Sequence, residues 1–497
     1  MAVSPLARVS IRHREPLMLF CTTSFLWFFL VVFSAYWVTP WARARVLILL
    51  AASFYFYASW NKWLALIIFA SSLADFGIGL ALETVTARGR RRALLGLSVV
   101  ANLGLLCSFK YANFFLQSLE EAVRAAGGTA AMPVLSVVLP VGISFYTFEA
   151  ISYSVDVYQR RIPAERNPFH FLLFITFFPH LVAGPIVRAR DFLPQIRKRK
   201  RWNWARANAG VQLFLLGMFK KMVIADRMAL YADPVFAAPD QYGSGAAWLA
   251  MVAYALQIYC DFSGYSDMAL GAAHLLGYRL AVNFDLPYLS ANVSEFWRRW
   301  HISLSTWLRD YVFIPLGGSR NSPDPRRNEW LTARNLVVTM ALGGLWHGAA
   351  WTFVVWGVMH GLFLVAHRRF RVFCEARPTL DAALQTPPGV VLRVATTFLC
   401  VSTAWVFFRA QTFAAAAAFV KRLFAWKIGA PAELTYHCLA TLGAVVLVAH
   451  VMTYHGFWRR LADRLPAPVL GAAYAVLATA TLALTPETAQ VFIYFQF

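Results

Sequence analysis

The histidine at position 347 is the residue with the clearest potential for chemistry. It lies in an apolar stretch, and Gly343, Gly344 and Gly348 surround it. The glycines remove side-chain bulk, so a ligand or another backbone can approach the imidazole closely. A neutral imidazole there is suited to take a proton from a hydroxyl group. Ionisable groups within membranes are commonly functional. The alternative is that the glycines pack helices and His347 hydrogen-bonds a neighbouring helix.

A second histidine, His301, lies in a segment rich in tryptophan and arginine. If this segment is one helix, Trp297, His301 and Ser305 share a face, because residues four apart lie one above the other. That face could hold a ligand beside the imidazole. The alternative is an interfacial belt of tryptophan and arginine that anchors the segment against lipid headgroups.

His360 is a weaker candidate for catalysis. It lies thirteen positions after His347, which corresponds to about 220° around an unbroken helix of 3.6 residues per turn. We therefore expect His360 to face away from His347.

Two aspartates near position 264 are candidates for a structural role. Asp261 and Asp267 lie beside Gly264 in an apolar stretch, where each is expected to orient an arginine or a histidine rather than to react. The sequence contains no serine-hydrolase, zinc-protease or nucleotide-binding motif in a suitable place. Its six cysteines show no paired spacing, so we expect no metal site.

The elements that must position these residues are helices in a membrane. The 497 residues are 59% hydrophobic and only 14% charged, far more apolar than a soluble domain. Roughly ten to twelve apolar stretches have the length of membrane-crossing or shorter re-entrant helices. They lie near 17–38, 46–60, 63–82, 93–109, 168–187, 207–219, 246–260, 335–366, 390–408, 434–453 and 466–484. The sequence therefore predicts an all-α, polytopic integral membrane protein.

The net charge of +22 is distributed in short basic runs between the apolar stretches. Such runs are typical of cytoplasmic loops and not of a nucleic-acid-binding face. If the basic loops are cytoplasmic, the first helix starts outside. Arginines within residues 1–17 oppose that orientation, and one resolution is that these residues are an N-terminal extension before Met18. Residues 18–497 are then a single membrane domain.

Two segments interrupt the simple pattern of helices and loops. Pro140 and Gly142 break the apolar stretch Val134–Tyr158, which predicts a broken or re-entrant helix. Asn283–Gly318 is too charged to span a membrane and too aromatic for a solvated loop. It is expected at the interface or inside a funnel.

Six stretches carry a resemblance to a known family. They are Tyr259-Cys-Asp-Phe-Ser-Gly-Tyr-Ser-Asp-Met-Ala269, Asn283-Phe-Asp-Leu-Pro-Tyr-Leu289, Phe296-Trp-Arg-Arg-Trp-His-Ile-Ser-Leu-Ser305, Trp307-Leu-Arg-Asp-Tyr-Val-Phe-Ile-Pro-Leu-Gly-Gly318, Gly344-Leu-Trp-His-Gly348 and Phe492-Ile-Tyr-Phe-Gln-Phe497. At these residues the chain resembles the membrane-bound O-acyltransferase family, in particular its bacterial branch of alginate O-acetylation and D-alanyl transfer proteins. The resemblance is strongest over residues 140–370.

The resemblance implies a ring of helices around a central funnel that contains the site. His347 matches the family's invariant histidine, and His301 matches a second, usually polar, position. Residues expected to bind the donor or substrate are Trp297, Arg298, Trp300, Ser305, Asp310 and Trp346. Residues expected to be polar and structural are Asp261, Asp267 and Asn283.

The implied reaction is acyl transfer in the bacterial cytoplasmic membrane. Acetyl-CoA is the expected donor, with no tightly bound cofactor, and His347 is the expected base. The expected acceptor is a hydroxyl on the outer side, reached with a periplasmic or membrane-anchored partner acetyltransferase, for O-acetylation of a polysaccharide such as alginate. The alternatives are a lipid or protein hydroxyl as acceptor, or a transporter or flippase that uses the same broken helices.

Overall fold

The computed structural model describes residues 18–129, 131–135, 138–319, 322, 324–429, 436–486 and 492–493. Within these ranges the regular elements are helices, which confirms the all-α prediction. The predicted extension at residues 1–17 lies outside the described residues. So do residues 494–497 of the stretch that begins at Phe492.

Among the described residues, the N-terminal part of the chain contains nine helices. They are α1 (Thr23–Val38), α2 (Ala42–Ala58), α3 (Lys62–Thr84), α4 (Arg88–Leu106), α5 (Ala112–Ala125), α6 (Ile143–Tyr158), α7 (Pro168–Thr176), α8 (Phe178–Leu181) and α9 (Ala189–Arg197). The middle of the chain forms seven more. They are α10 (Trp204–Phe219), α11 (Asp226–Ala237), α12 (Ser244–Leu275), α13 (Val293–Arg299), α14 (Ile302–Leu308), α15 (Pro325–His347) and α16 (Trp351–Glu375).

Six helices follow towards the C-terminus. They are α17 (Pro378–Gln385), α18 (Pro387–Arg409), α19 (Phe413–Phe424), α20 (Tyr436–Tyr454), α21 (Phe457–Arg464) and α22 (Ala467–Leu484). Three π-helical turns widen the backbone at Cys107–Tyr111, Lys220–Ala225 and Arg309–Phe313. Turns of this kind are frequent at functional sites.

In the part of the chain that the structure describes, five helical segments are long and apolar enough to cross a membrane: Lys62–Thr84, Arg88–Ala125, Ser244–Leu275, Pro387–Arg409 and Ala467–Leu484. Shorter apolar helices lie at Thr23–Val38 and Ala440–Tyr454. The chain is therefore a multi-pass membrane protein. The apolar stretch 168–187, which is long enough to predict one crossing helix, is instead divided into α7, α8 and a non-helical segment. A single helix over this stretch was therefore a wrong prediction, and Pro179 at the start of α8 accounts for the interruption.

Helix α12 lies at the centre of the molecule and packs against α10, α11, α18 and α19. Glycines let it approach α10 closely. A Cβ atom added to Gly264 would lie 2.7 Å from the carbonyl oxygen of Gly217, and one added to Gly271 would lie 2.6 Å from that of Gly210. Lipid provides no hydrophobic driving force between helices, so helix association depends on the close packing that small residues permit.

The predicted interruption at Pro140 and Gly142 is confirmed, but a helix on both sides of it is not, because the described residues 131–135 and 138–142 are not helical. Gly142 has a left-handed backbone, with φ of +75°, and α6 begins at the next residue. A side chain at position 142 would also contact the backbone of Leu181. Glycine is therefore required there by both conformation and space, and the break directs α6 towards the histidines.

Candidate active site

His347 is the last residue of α15, and the chain does not continue as a helix beyond it. Gly348 and Ala350 are extended, with φ of −152° and −151°, and α16 starts at Trp351. Helix α16 packs back against α15. The prediction of one unbroken helix through residues 335–366 is therefore wrong. The imidazole lies at a helix end, beside carbonyl groups that the last turn leaves without helical partners.

The glycines around His347 allow two helices to pack closely. A Cβ atom on Gly344 would collide with the backbone carbonyl of Phe353 in α16, and one on Gly348 would collide with the Phe353 ring. A Cβ atom on Gly343 would lie 3.0 Å from Leu308. Of the two predicted approaches, a ligand or another backbone, the structure shows the backbone at Gly344.

His301 lies at a break between α13 and α14. Its φ of 43° is left-handed, and α14 begins at Ile302. A helix face shared by Trp297, His301 and Ser305 is therefore not formed, and that prediction is wrong. The Ser305 hydroxyl donates to the carbonyl of Trp300 instead, at 3.0 Å. The break turns the His301 ring into the protein, where it is fully buried.

Asn283 fixes the orientation of the His301 ring. Its side-chain oxygen accepts from the Ser303 N–H at 3.2 Å and lies 3.1 Å from His301 Nδ1. An atom that accepts from an N–H is an acceptor, so His301 Nδ1 must carry the proton in this contact. Nε2 then keeps its lone pair, and it has no hydrogen-bond partner among the described residues.

The two histidines are neighbours. The centroids of the His301 and His347 rings are 6.1 Å apart. The ring of Trp346 lies against both, at 5.9 Å from His301 and 5.0 Å from His347. Phe262 packs edge to face on His301 at 4.7 Å. This arrangement buries two neighbouring imidazoles among aromatic rings, and a neutral imidazole can act there as a hydrogen-bond acceptor or a base.

His360 belongs to the same aromatic cluster. The indole N–H of Trp297 donates to His360 Nδ1 at 3.3 Å. The ring of Trp356 lies 4.9 Å from His360 and 5.2 Å from His347. The expectation that His360 faces away from His347 is wrong. The angle between them was calculated for one unbroken helix, whereas the non-helical residues 348–350 separate the two histidines.

A cavity of about 440 Å³ opens beside this cluster. Its lining consists of Ser294, Trp297, Arg298, Ile302, Ser305, Thr306, Leu308, Arg309, Phe313, Leu336, Thr339, Met340 and Leu364. Three of the six predicted donor-binding residues, Trp297, Arg298 and Ser305, are in that lining. Arg298 is exposed and forms no hydrogen bond or ion pair within the described part of the chain. Its guanidinium group is free to bind an anion.

The other three predicted donor-binding residues lie outside the lining. Trp300 is buried among aromatic rings, with Trp405 at 5.1 Å. The Asp310 carboxylate pairs with Arg309 at 2.8 Å and with Arg188 at 3.5 Å. Trp346 donates its indole N–H to the Ser144 carbonyl at 3.3 Å. A donor contact for these residues stays a prediction.

Both predicted structural aspartates form ion pairs. Asp267 accepts from Lys220 at 2.6 Å. Asp261 lies 2.9 Å from Lys221, and its second oxygen accepts from the N–H of Ile493 at 2.8 Å. Each lysine comes from the π-helical turn Lys220–Ala225. These contacts hold α12 to its neighbours.

Sequence reasoning overlooked a buried acid–base pair. Glu149 and His180 lie 3.2 Å apart, and Glu149 also accepts from the N–H of Val187 at 2.8 Å. The N–H of Ile186 donates to Ser303, whose hydroxyl donates to Asn283. The pair thus holds the segment Ile186–Val187, which contacts Ser303 close to His301. Ionisable residues in apolar stretches were the pattern that could have revealed it.

Comparison with known proteins gives consistent matches. A family model described as membrane-bound O-acyltransferase family matches residues 159–408. The chain is 42% identical to a protein of Azotobacter vinelandii named "Probable alginate O-acetylase", over 88% of this chain and 84% of that protein. It is 36% identical to the "Peptidoglycan O-acetyltransferase" of Helicobacter pylori, over 73% and 70%. It is 32% identical to the "Teichoic acid D-alanyltransferase" of Streptococcus thermophilus, over 45% and 56%.

Proposed function

The chain belongs to the membrane-bound O-acyltransferase family, and from that premise we propose that it transfers acetyl groups to a hydroxyl acceptor for the O-acetylation of a surface polysaccharide, with alginate as the first candidate. The observation that carries the proposal is the buried pair of histidine rings 6.1 Å apart. The names of the similar proteins support a polymer as the acceptor.

In the proposed reaction the oxygen of an acceptor hydroxyl attacks the thioester carbonyl of acetyl-CoA. A carbon–oxygen bond forms and the carbon–sulfur bond breaks. His347 takes the hydroxyl proton and passes it to the departing thiolate, so the products are an acetyl ester and the CoA thiol. General-base catalysis of this kind contributes about 10²- to 10⁴-fold.

His301 complements His347 in this scheme. Because Asn283 holds the proton on Nδ1, the buried Nε2 atom presents a lone pair to its surroundings. It can accept a hydrogen bond from the acceptor hydroxyl and orient it for attack. Fixing the reacting groups in this way lowers the entropic part of the barrier.

The cavity beside the histidines is the proposed donor site. Its apolar walls suit the pantetheine chain, and Arg298 and Arg309 suit phosphate groups, for which guanidinium groups are the preferred partners. The donor would enter from the cytoplasm. The acetyl group would pass to the outer side of the bacterial cytoplasmic membrane, where a partner acetyltransferase completes transfer to the polysaccharide.

The test measures alkali-labile acetyl groups on purified surface polysaccharide. A deletion strain is complemented with the wild type, with His347→Ala, or with His455→Ala, at matched membrane levels. His455 is exposed and serves as the matched histidine control. We expect the wild type and His455→Ala to restore acetylation, and His347→Ala to restore less than about 1% of it.

Equal restoration by His347→Ala would contradict the role of that histidine as base. If the deletion strain retained its full acetyl content, the polysaccharide would be the wrong acceptor. Lipid and protein fractions of the same cells should then be compared for lost acetyl esters.

A further inference from the structure

Two consecutive residues of another helical segment cap the C-terminal end of α15 by donating hydrogen bonds to its last carbonyl groups. A helix leaves its last four carbonyl groups without helical donors. At α15 the carbonyl of Gly344 accepts from the N–H of Gly348, at 3.4 Å. The carbonyls of the three following residues receive donors from the π-helical turn Cys107–Tyr111.

Lys110 and Tyr111 supply these donors. The Tyr111 hydroxyl donates to the carbonyl of Leu345 at 2.9 Å. The Lys110 ammonium donates to the carbonyls of Trp346 and His347, at 2.8 and 2.9 Å. Every carbonyl of the last turn therefore has a donor, and the final two share one cation.

The π-helical turn explains how two consecutive residues reach one helix end. In a regular α-helix, adjacent side chains point about 100° apart and do not face the same partner. The turn Cys107–Tyr111 widens the helix locally, and Lys110 and Tyr111 both contact α15. This is the kind of local distortion that often marks a functional position.

A lysine in an apolar helix is costly unless its charge is compensated. Lys110 is half-buried, and the oxygen atoms that accept from it are the two α15 carbonyls and the Ser144 hydroxyl, the latter at 3.5 Å. The negative end of a helix dipole attracts a cation at this point. The cation is thus directed at the backbone of His347 itself.

The same contact also fixes the residue beside the histidine. The Lys110 ammonium lies over the ring of Trp346, 5.9 Å from its centroid. The indole N–H of Trp346 donates to the Ser144 carbonyl. Because Trp346 packs against both histidines, its position bears on their separation.

We infer that Lys110, assisted by Tyr111, is a positioning residue that sets the direction of the His347 imidazole by clamping the C-terminal carbonyls of α15. This rests on the proposed role of His347 in acetyl transfer. The residue touches neither donor nor acceptor. Its loss changes the fraction of time that the imidazole spends in the reactive geometry.

The test compares Lys110→Met with Lys110→Arg in the full-length protein in native membranes. Methionine keeps the length of the side chain and removes the donors, whereas arginine retains them. We expect Lys110→Met to lower kcat for acetyl transfer at least about 10-fold per folded protein, with KM for acetyl-CoA within about 2-fold. Lys110→Arg should recover kcat to within about 3-fold of the wild type.

Arg91→Met is the matched control. Arg91 is a buried cation that likewise donates to backbone carbonyls, those of Leu82 and Tyr158, away from the histidines. This variant should lose stability and keep kcat per folded protein. A matching fall in kcat for both variants would overturn the inference, because the effect would then be general destabilisation.

A second readout does not depend on turnover. Amide hydrogen exchange of residues 345–353 should speed up in Lys110→Met and stay unchanged in Arg91→Met, since only the first releases the end of α15. Faster exchange with wild-type kcat would overturn the positioning role. If the wild type transferred no acetyl from acetyl-CoA, the proposed function would fail, and unchanged exchange in Lys110→Met would separately overturn the clamp.

Discussion

At the residue scale, the two central histidines are held by different means. Asn283 fixes the ring of His301 through Nδ1, whereas the backbone of His347 is fixed at a helix end. A ring with a fixed tautomer suits a constant hydrogen-bonding role. This difference supports the proposed division in which His301 orients the acceptor and His347 moves the proton.

Arg298 allows a test of the donor at the same scale. We expect Arg298→Ala to raise KM for acetyl-CoA about 10-fold and to leave kcat within about 2-fold, because a charge-assisted hydrogen bond to phosphate contributes about 1.5–3 kcal/mol to binding. The measurement is the donor-concentration dependence of acetyl transfer in membrane vesicles that contain the polysaccharide machinery.

Arg327→Ala is the control for this prediction. Arg327 is an exposed arginine in the first turn of α15 and lies outside the cavity lining. Its removal lowers the net charge equally and should leave KM unchanged. The same KM in Arg298→Ala and the wild type would mean that the anionic part of the donor binds elsewhere.

At the element scale, helix ends and breaks decide where the chemistry can occur. Helix α15 ends at His347, α13 and α14 meet at His301, and α6 begins after Gly142. Irregular backbone inside a membrane protein must lie in protein or line a cavity, because lipid offers no hydrogen bonds. The breaks at His301 and His347 therefore belong to the interior, as the burial of both histidines shows.

The close contact between α15 and α16 depends on Gly344. In Gly344→Ala the new Cβ atom collides with the Phe353 carbonyl, so the helices must separate. We expect a loss of about 1–3 kcal/mol in stability, the typical cost of overpacking. Thermal unfolding of the detergent-solubilised protein measures it.

Gly96→Ala serves as the matched variant, since a Cβ atom there has no neighbour within 4 Å. It should leave the unfolding temperature nearly unchanged. Equal unfolding temperatures for the two variants would show that α15 and α16 do not need the close approach seen here.

At the scale of the whole molecule, a buried charge cluster joins distant parts of the chain. Lys221 lies 2.8 Å from Asp226 and 2.9 Å from Asp261. Asp261 also binds the backbone of Ile493, next to Phe492, whose ring stacks on Tyr265. The cluster thereby joins α11, α12 and the C-terminal residues around one lysine.

Removing that lysine should be severe. Lys221→Met leaves two buried carboxylates without their shared cation, and we expect a loss of about 3–5 kcal/mol in the free energy of unfolding. The triple variant Lys221→Met/Asp226→Asn/Asp261→Asn should recover part of the loss, since it buries no unpaired charge. Folded yield and thermal unfolding in detergent measure both.

Lys62→Met is the control, because Lys62 is exposed at the start of α3. It should unfold like the wild type. If Lys221→Met behaved in the same way, the cluster would contribute no net stability, as is the case for some buried ion pairs.

Composition and motifs were enough to predict the class of structure and the family, and they singled out His347 as the candidate base. A helix that crosses a membrane satisfies its own backbone hydrogen bonds and requires about 20 consecutive apolar residues. Its presence can therefore be predicted from local composition. The break at Gly142 was equally local, because proline and glycine mark such positions in the chain. His347 stood out because it is ionisable in an apolar stretch.

The assembly of the site depends on contacts between residues that are far apart in the sequence. Lys110 and His347 are 237 positions apart, and no local pattern links them. Angular extrapolation from His347 to His360 failed at the non-helical residues 348–350, because a helix end fixed by contacts with another helix cannot be predicted from periodicity. Glycines allow neighbouring helices to pack with their backbones in contact. This close packing brings the histidines together.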